Sequence, residues 1–426
     1  MKKKYIILSI ITLVLLITFV TSFNYFKTTN TYVENNSNNQ TKITKGISMN
    51  LEQTAGAGDY KQVTQSSWPT EGYKFNAELS RCENGSTLSW DDTKKAVIVS
   101  GNLSDKCYVY FDIYQPTLAE YIKSQYTGTQ GDNALYYHNS TLTNGAGDNS
   151  YRYAGANPNN FVCFGSDTSP CPTDNLYRII GVFGENYHGV TGKQLVKLIK
   201  YDYATSALLG TDGDYCGSST PSTSYYKGSL TTINTYYWNY KATGSATNTW
   251  STSLLNKTNL NTNFINNIGT TWANKIATVT WKVGGNTYAN IREVVPSVAY
   301  TNEITNPDAT NSTDNATTYS AKIGLMYVSD YGFGAVPEAW ATTIYNYNGS
   351  VNGSTIRSQN WMHMGYVDWT ISRNSVNTII AFDVRVSGPG FSGVDLYNGV
   401  RPSFNLLSST TYVSGSGSMS DPVRIN

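Results

Sequence analysis

The apolar pattern opens with an unbroken run from Tyr5 to Phe23, built of apolar and hydroxyl-bearing residues with no charge, directly after Lys2, Lys3 and Lys4. At about 1.5 Å of rise per residue such a run spans close to a ~30 Å hydrocarbon core, and it exceeds the roughly 7 to 15 apolar residues of a cleaved export signal. No small-x-small cleavage pattern surrounds Thr21, Ser22 and Phe23. The run, residues 1–23 with its lysines, therefore predicts a membrane anchor in preference to a cleaved signal, with the lysines inside the cell and the bulk of the chain outside. Residues 24–45 are rich in Asn and Thr without periodicity, as in a flexible tether.

From Ile47 the spacing changes. Tyr73, Phe75, Ala77 and Leu79 alternate with polar residues, Asn84-Gly85 has the positive-φ chemistry of a tight hairpin, and Ala96 to Val99 and Tyr108 to Ile113 are further strand-like runs. Residues 46–114 are thus expected to form a small β-sandwich-like domain. Pro116 opens a short helix with Leu118, Tyr121 and Ile122 on one face and begins a second domain over 115–426. There, Leu176 to Phe183 and Gln194 to Tyr201 predict a hairpin at the heart of a sheet, and residues 205–250 a polar chain on the surface. Leu260, Phe264 and Ile268 predict an amphipathic helix ending near Gly269, followed by a shorter one with Trp272 and Ile276. Thr278 to Val283 reads as a strand that Gly284-Gly285 turns back toward Ile291 to Val295, and Asn302 to Tyr319 as a polar loop. Val384, Val386, Val394 and Leu396 fall in two alternating runs around Gly388-Pro389-Gly390, a hairpin pattern. The fold class expected is α+β: an N-terminal transmembrane helix, a β-sandwich-like domain and a mixed α+β domain.

The last hundred residues hold an ordered set of motifs: Gly324-Leu325-Met326-Tyr327-Val328-Ser329-Asp330-Tyr331, Asn360-Trp361-Met362, Asp368-Trp369-Thr370-Ile371-Ser372-Arg373 and Gly399-Val400-Arg401-Pro402-Ser403-Phe404-Asn405-Leu406. This order resembles an uncharacterised family of bacterial surface domains that end in a Gly-Val-Arg-Pro-x-Phe-x-Leu strand, and the resemblance covers roughly residues 160–426. More distantly the plan looks like the formylglycine-generating-enzyme branch of the C-type-lectin-like fold. The resemblance implies a lectin-like C-terminal domain whose loops before the closing strands line a ligand face, making Trp361, His363, Tyr366, Phe391 and Tyr397 contact candidates. Aromatic rings of this kind stack on sugars or on a protein partner. Shared fold does not by itself transfer function.

Composition narrows the chemistry. Net charge is +1 and charged residues make up 14% of the chain, which leaves no clustered Lys/Arg footprint for nucleic acid. The abundance of Tyr, Ser, Asn and Gly matches recognition surfaces, and AT-rich coding together with exposure outside the cell produces the same composition with no binding role. Among the five cysteines, Cys82 and Cys107 flank strand-like segments and Cys163 and Cys171 flank a Ser/Pro turn, so two local disulfides are expected, with Cys216 left over. No C-x2-C spacing occurs and His138, His188 and His363 are scattered, so neither a metal nor a cofactor is expected.

Arg373 and Arg401 lie inside apolar motifs and need partners if buried, with Asp330, Glu338 or Asp368 as candidates; Trp369 joins them as a structural residue. The alternative is that these arginines grip an anionic ligand. The oxidase activity of the formylglycine-generating family requires a cysteine pair in the C-terminal half, and no cysteine follows Cys216. Glu-Pro-Asn and Gln-Pro-Asp sugar-binding loops are absent, Asp212-Gly213-Asp214 lacks a surrounding calcium loop, and Gly415-Ser416-Gly417-Ser418 reads as a flexible tail. The functions left open are a non-catalytic surface receptor or adhesin binding a glycan or protein, a cell-envelope carbohydrate-active hydrolase with an unrecognised acidic pair, and a structural envelope component.

Overall fold

Alternation along Cys107–Ile113 organises the first part of the structure, since Cys107, Val109 and Phe111 are buried while the residues between them are half-exposed. The structure is a computed structural model; it describes residues 31–32, 35–36, 40–41 and 46–426, apart from 65–66, 70–71, 103, 185–186, 212–225, 231–232, 242–243, 287–290, 292, 307–316 and 349–352. The expected anchor at 1–23, most of the tether at 24–45, Asp212-Gly213-Asp214 and Cys216 lie outside the described residues. Among the described residues no helix is long and apolar enough to cross a membrane. The chain divides into two compact units, Met1–Gln115 and Pro116–Asn426, of mixed α+β type with many strands and few, short helices.

In the first unit the strands are β1 (Ile47–Glu52), β2 (Tyr60–Val63), β3 (Tyr73–Phe75), β4 (Arg81–Cys82), β5 (Thr87–Asp91), β6 (Ala96–Ser100) and β7 (Cys107–Ile113). β7 pairs parallel with β1 and antiparallel with β3 and β4, β2 closes on β1, and β5 pairs with β6 in a separate sheet. Met49, Leu51, Trp68, Val97, Val109 and Phe111 fill the space these strands enclose. The Cys82–Cys107 disulfide joins residues directly opposite in the β4–β7 register. Asn84-Gly85 does turn the chain, with Gly85 at φ 85°, yet the strands beside it do not pair with each other. The buried Asp105 carboxylate explains this: it accepts the N–H groups of Asn84 (2.9 Å) and Ser86 (3.1 Å) and draws the turn toward β7. Ala77 and Leu79 leave the strand, because Asn76 Oδ1 accepts from the Glu78 and Leu79 N–H groups and forms a turn there.

The second unit begins with α1 (Leu118–Ser124), whose Thr117 and Glu120 form a reciprocal capping box. Its principal strands are β8 (Leu135–His138), β9 (Ser150–Tyr153), β10 (Phe161–Cys163), β11 (Leu176–Phe183), β12 (Leu195–Lys200), β13 (Ile323–Gly324), β14 (Asp368–Arg373), β15 (Ile380–Arg385), β16 (Gly388–Gly393) and β17 (Ser403–Asn405). Seven of them form one antiparallel sheet in the order β8-β9-β11-β12-β17-β13, with β10 also on β11. β11 and β12 are buried at every position, so the expected hairpin is the centre of that sheet. Two helices matter for the site: α2 (Pro296–Tyr300), which continues as a wider turn over Thr301–Thr305, and α3 (Val328–Gly334).

Several local expectations change. The 255–264 helix is of the wider π form, with Leu260 and Phe264 fully buried, and runs on to Asn267 before Gly269 at φ 82°. Val279–Lys282 pairs with Thr318–Ala321 instead of 291–295, where Ile291 and Glu293 are helical and Pro296 opens a further helix. Residues 233–238 are not surface chain: Tyr236, Tyr237 and Trp238 are buried, and Trp238 donates to the Thr370 carbonyl at 2.9 Å. Gly388-Pro389-Gly390 lies inside β16, with the turn at Val386 and Ser387; a side chain at Gly390 would collide with Arg385 and Asp383. The Gly415–Ser418 tail is docked, since Phe161 N–H donates to the Gly417 carbonyl at 2.8 Å and Val423 bridges Val162.

Candidate functional site

A strand with the sequence Leu-Val-Lys-Leu-Ile-Lys must bury Lys197 when both faces of the sheet are covered, and the ammonium then needs partners. Lys197 is fully buried; its Nζ lies 2.6 Å from Asp330 Oδ2 and 3.1 Å from the Tyr187 hydroxyl. The rings of Tyr327, Trp281, Tyr187 and Phe183 surround it, with Nζ 4.6 to 5.9 Å from their centroids. Burial lowers the Lys197 pKa and the Asp330 charge opposes that shift.

Arg152, on β9, extends the network. Its Nη2 lies 2.7 Å from Asp148 Oδ2, its Nε donates to Ser150 Oγ at 2.8 Å, and its Nη1 lies 3.8 Å from Asp330 Oδ1. The guanidinium is within 5.0 Å of the ring centroids of Phe183, Tyr300 and Phe333. Asp148 is pushed up by burial but pulled further down, to about 2, by Arg152 and by hydrogen bonds from Ser150 and Tyr300. Glu303, on the turn after α2, accepts the N–H groups of Val328 (3.1 Å) and Ser329 (3.0 Å) and the Ser372 hydroxyl. Its complete burial raises its pKa to about 7 despite those hydrogen bonds.

Above this floor opens a cavity of about 380 Å³ lined by Asp148, Phe183, Tyr187, Lys282, Tyr300 and the Ile304–Thr305 pair. The Phe183 and Tyr187 rings are stacked, with centroids 4.2 Å apart. The volume falls in the usual range of about 300 to 1,000 Å³ for small-ligand sites. Phe183, Tyr187 and Tyr300 contribute aromatic side chains to the walls, a carboxylate held ionised supplies acceptors, and Lys282 supplies donors. A smaller cleft of about 170 Å³ lies elsewhere in the unit, among Tyr121, Asn133, Asn157, Asn159 and Ser416.

The five ligand-contact candidates occupy separate environments. Trp361 is 4% exposed, donates to the Tyr153 carbonyl at 2.9 Å and packs under Arg178, so it belongs to the core. His363 is half-buried with Nδ1 3.1 Å from the Tyr331 hydroxyl, and burial reinforced by Arg357 and Arg401 lowers its pKa to about 4. Tyr366 is exposed, edge-on to Tyr203; Phe391 is half-buried beside Arg385; Tyr397 is exposed, edge-on to Tyr237. Of the structural candidates, Arg401 pairs with Asp368 at 2.5 Å and donates to the Met362 carbonyl at 2.8 Å. Burial raises Asp368 to about 6 against the pull of Arg401. Arg373 donates to the Val283 carbonyl at 2.6 Å, Trp369 to the Tyr236 carbonyl at 2.8 Å, and Asp330 serves Lys197 and Arg152.

The pattern does not reveal the cavity because Asp148, the Phe183–Tyr187 pair and Tyr300 are distant from one another in the chain and share no motif. The one local signal was a lysine within the apolar run of β12. Both expected disulfides, Cys82–Cys107 and Cys163–Cys171, are present. Among the described residues no three His, Cys, Asp or Glu side chains gather as a metal site requires. No family profile matches the chain, and no curated protein or solved structure matches it.

Proposed function

We propose that the chain is a membrane-anchored extracellular surface protein with a β-sandwich-like first unit and a C-type-lectin-like second unit, and that the second unit binds a glycan without catalysis. The observation that carries this reading is the aromatic-walled cavity of about 380 Å³ above a floor whose charges are already matched to one another. Aromatic side chains at the cavity wall suit the apolar part of a sugar, and Asp148 and Lys282 suit its polar edge. A hydrolase would need an acid poised near neutrality facing the cleft. Asp148, the carboxylate that lines the cavity, is held at about 2. Glu303 and Asp368, raised to about 7 and about 6, turn their oxygens to α3 and to Arg401 instead. Two disulfides suit an oxidising compartment outside the cell.

The test is a glycan array probed with the full-length chain in detergent, beside Thr305→Trp, which fills the cavity mouth, and the double variant Tyr366→Ala/Tyr397→Ala. Binding lost in Thr305→Trp and kept in the double variant supports the cavity. Binding untouched by Thr305→Trp and lost in the double variant moves the site to the exposed tyrosines. An array with no bound glycan removes the sugar assignment.

A further inference from the structure

We propose that Lys197 and Asp330 are the two ends of a self-formed isopeptide crosslink between β12 and α3, with the Lys197 side-chain nitrogen acylated by the Asp330 carboxyl. The inference does not depend on whether the cavity above them binds a ligand.

The geometry is that of a reactant pair. The two groups are 2.6 Å apart, their side chains are at most 2% exposed, and aromatic rings close around the nitrogen. Donors converge on the carboxyl carbon's oxygens. Tyr327 N–H donates to Oδ2 at 2.9 Å, and Arg152 Nη1, which makes no hydrogen bond among the described residues, lies 3.8 Å from Oδ1. These groups stand where negative charge develops when the nitrogen adds to the carbonyl carbon. A second carboxyl is close by: Glu303 and Asp330 share the first turn of α3, and the Glu303 charge acts on Lys197. The proton transfer needs no third group: it passes from the Lys197 ammonium to Asp330 Oδ2 across 2.6 Å, giving an amine and a carboxylic acid whose hydroxyl departs with a second amine proton as water.

The step balances without a co-reactant. The Lys197 ammonium and the Asp330 carboxylate together lose two protons and one oxygen as water. One N–C bond forms and one C–O bond breaks, leaving a neutral secondary amide, and nothing is oxidised or reduced. Tyr187 touches Lys197 Nζ and also lines the cavity, so displacement of this one side chain would let the released water out. Two effects drive the condensation against bulk water. Fixed proximity raises the effective concentration of the amine by many orders of magnitude, up to about 10⁵ to 10⁸ M in well-oriented cases. The amide also removes two desolvated charges from the interior at once. Arg152 keeps Asp148 as its partner after Asp330 becomes neutral, so no charge is stranded.

The experiment uses the purified, folded full-length chain, its N-terminal residue first located by sequencing, then reduced, denatured and weighed whole. The expected mass is about 18 Da below that of the linear sequence, the loss of one water on forming a covalent bond between side chains. Tryptic digestion is expected to yield a branched peptide containing both residues and no cleavage after Lys197. Lys197→Arg should restore the linear mass. A chain at the full linear mass with ordinary cleavage after Lys197 overturns the proposal even if the variant fails to fold. A mass deficit that persists in Lys197→Arg overturns it too.

Discussion

Glu303 and Asp330 divide the free N–H groups at the start of one helix: Asp330 takes Tyr327 from within α3, and Glu303 takes Val328 and Ser329 from the turn after α2. Helix starts need acceptors for these donors, and here a second element supplies one of them. The arrangement ties Thr301–Thr305, whose Ile304 and Thr305 line the cavity, to the helix that holds the Lys197 partner.

The first prediction concerns pH. Glu303 is raised to about 7 and Asp368 to about 6, in both cases by burial, so the folded chain binds protons that the unfolded chain has released. Stability from these groups is therefore present at low pH and falls on the order of a few kcal/mol as pH rises through their folded values. Asp148 works the other way: held at about 2, it favours the fold above its unfolded value and loses that contribution only in strong acid. Urea midpoints should fall between about pH 5 and about pH 8, and Glu303→Gln should flatten that slope whatever its effect on absolute stability. A midpoint that rises over this range contradicts the assignment.

The Arg401–Asp368 pair is fully buried. Arg401→Met strands the carboxylate and should cost about 3 to 5 kcal/mol, while Arg401→Met/Asp368→Asn should recover part of the loss. Chemical denaturation at constant m-value measures both. If the double variant is as unstable as the sum of the two single ones, the residues are not coupled.

Loop length separates the two disulfides. Cys82 and Cys107 are 25 residues apart and Cys163 and Cys171 are 8 apart. In the chain-entropy model, Cys82→Ser/Cys107→Ser should cost about 3.5 kcal/mol and Cys163→Ser/Cys171→Ser about 2.5 kcal/mol. Thermal unfolding followed by Trp68 and Trp90 fluorescence should register the first as a loss in the N-terminal unit. An unchanged first unit would mean that its core suffices alone.

Gly181 sits where β9 crosses β11, and a Cβ there would run into the Tyr151 carbonyl oxygen. Gly181→Ala must push the strands apart and should destabilise by about 1 to 3 kcal/mol, as overpacking does. Gly192→Ala has open space around its Cβ but a φ of 66°, so its loss should reflect backbone strain alone. Equal urea midpoints for wild type and Gly181→Ala would show that β9 shifts freely.

What the sequence revealed follows from physical range. The central hairpin of β11 and β12 was legible because a strand covered on both faces is apolar throughout, and the cysteines were legible because their neighbours in sequence are neighbours in space. Pairing of Val279–Lys282 with Thr318–Ala321 was not, since nothing local distinguishes that partner from 291–295. Gly388-Pro389-Gly390 misled because its glycines answer to close packing against Arg385 and Asp383, a contact invisible to turn chemistry. The lectin-like resemblance makes Trp361 a contact candidate beside its plainer reading as core, and its buried indole donates to the Tyr153 carbonyl more than two hundred positions earlier in the chain. The cavity was hidden for the same reason. Its walls are assembled by topology, and only the lysine buried in β12 hinted that charges had to meet there.

Strand β17, residues 403–405, lies in the sheet between β12 and β13, which precede it in the chain. Until those residues are synthesised, β12 and β13 have no shared neighbour, and β13 has no partner in the sheet. Closure of that edge of the sheet is thereby postponed to the last stretch of synthesis, whatever the helices and hairpins do earlier. The strand that ties residues 323–324 to the central hairpin is the last of the three to be made, and that edge of the sheet stays open until it arrives.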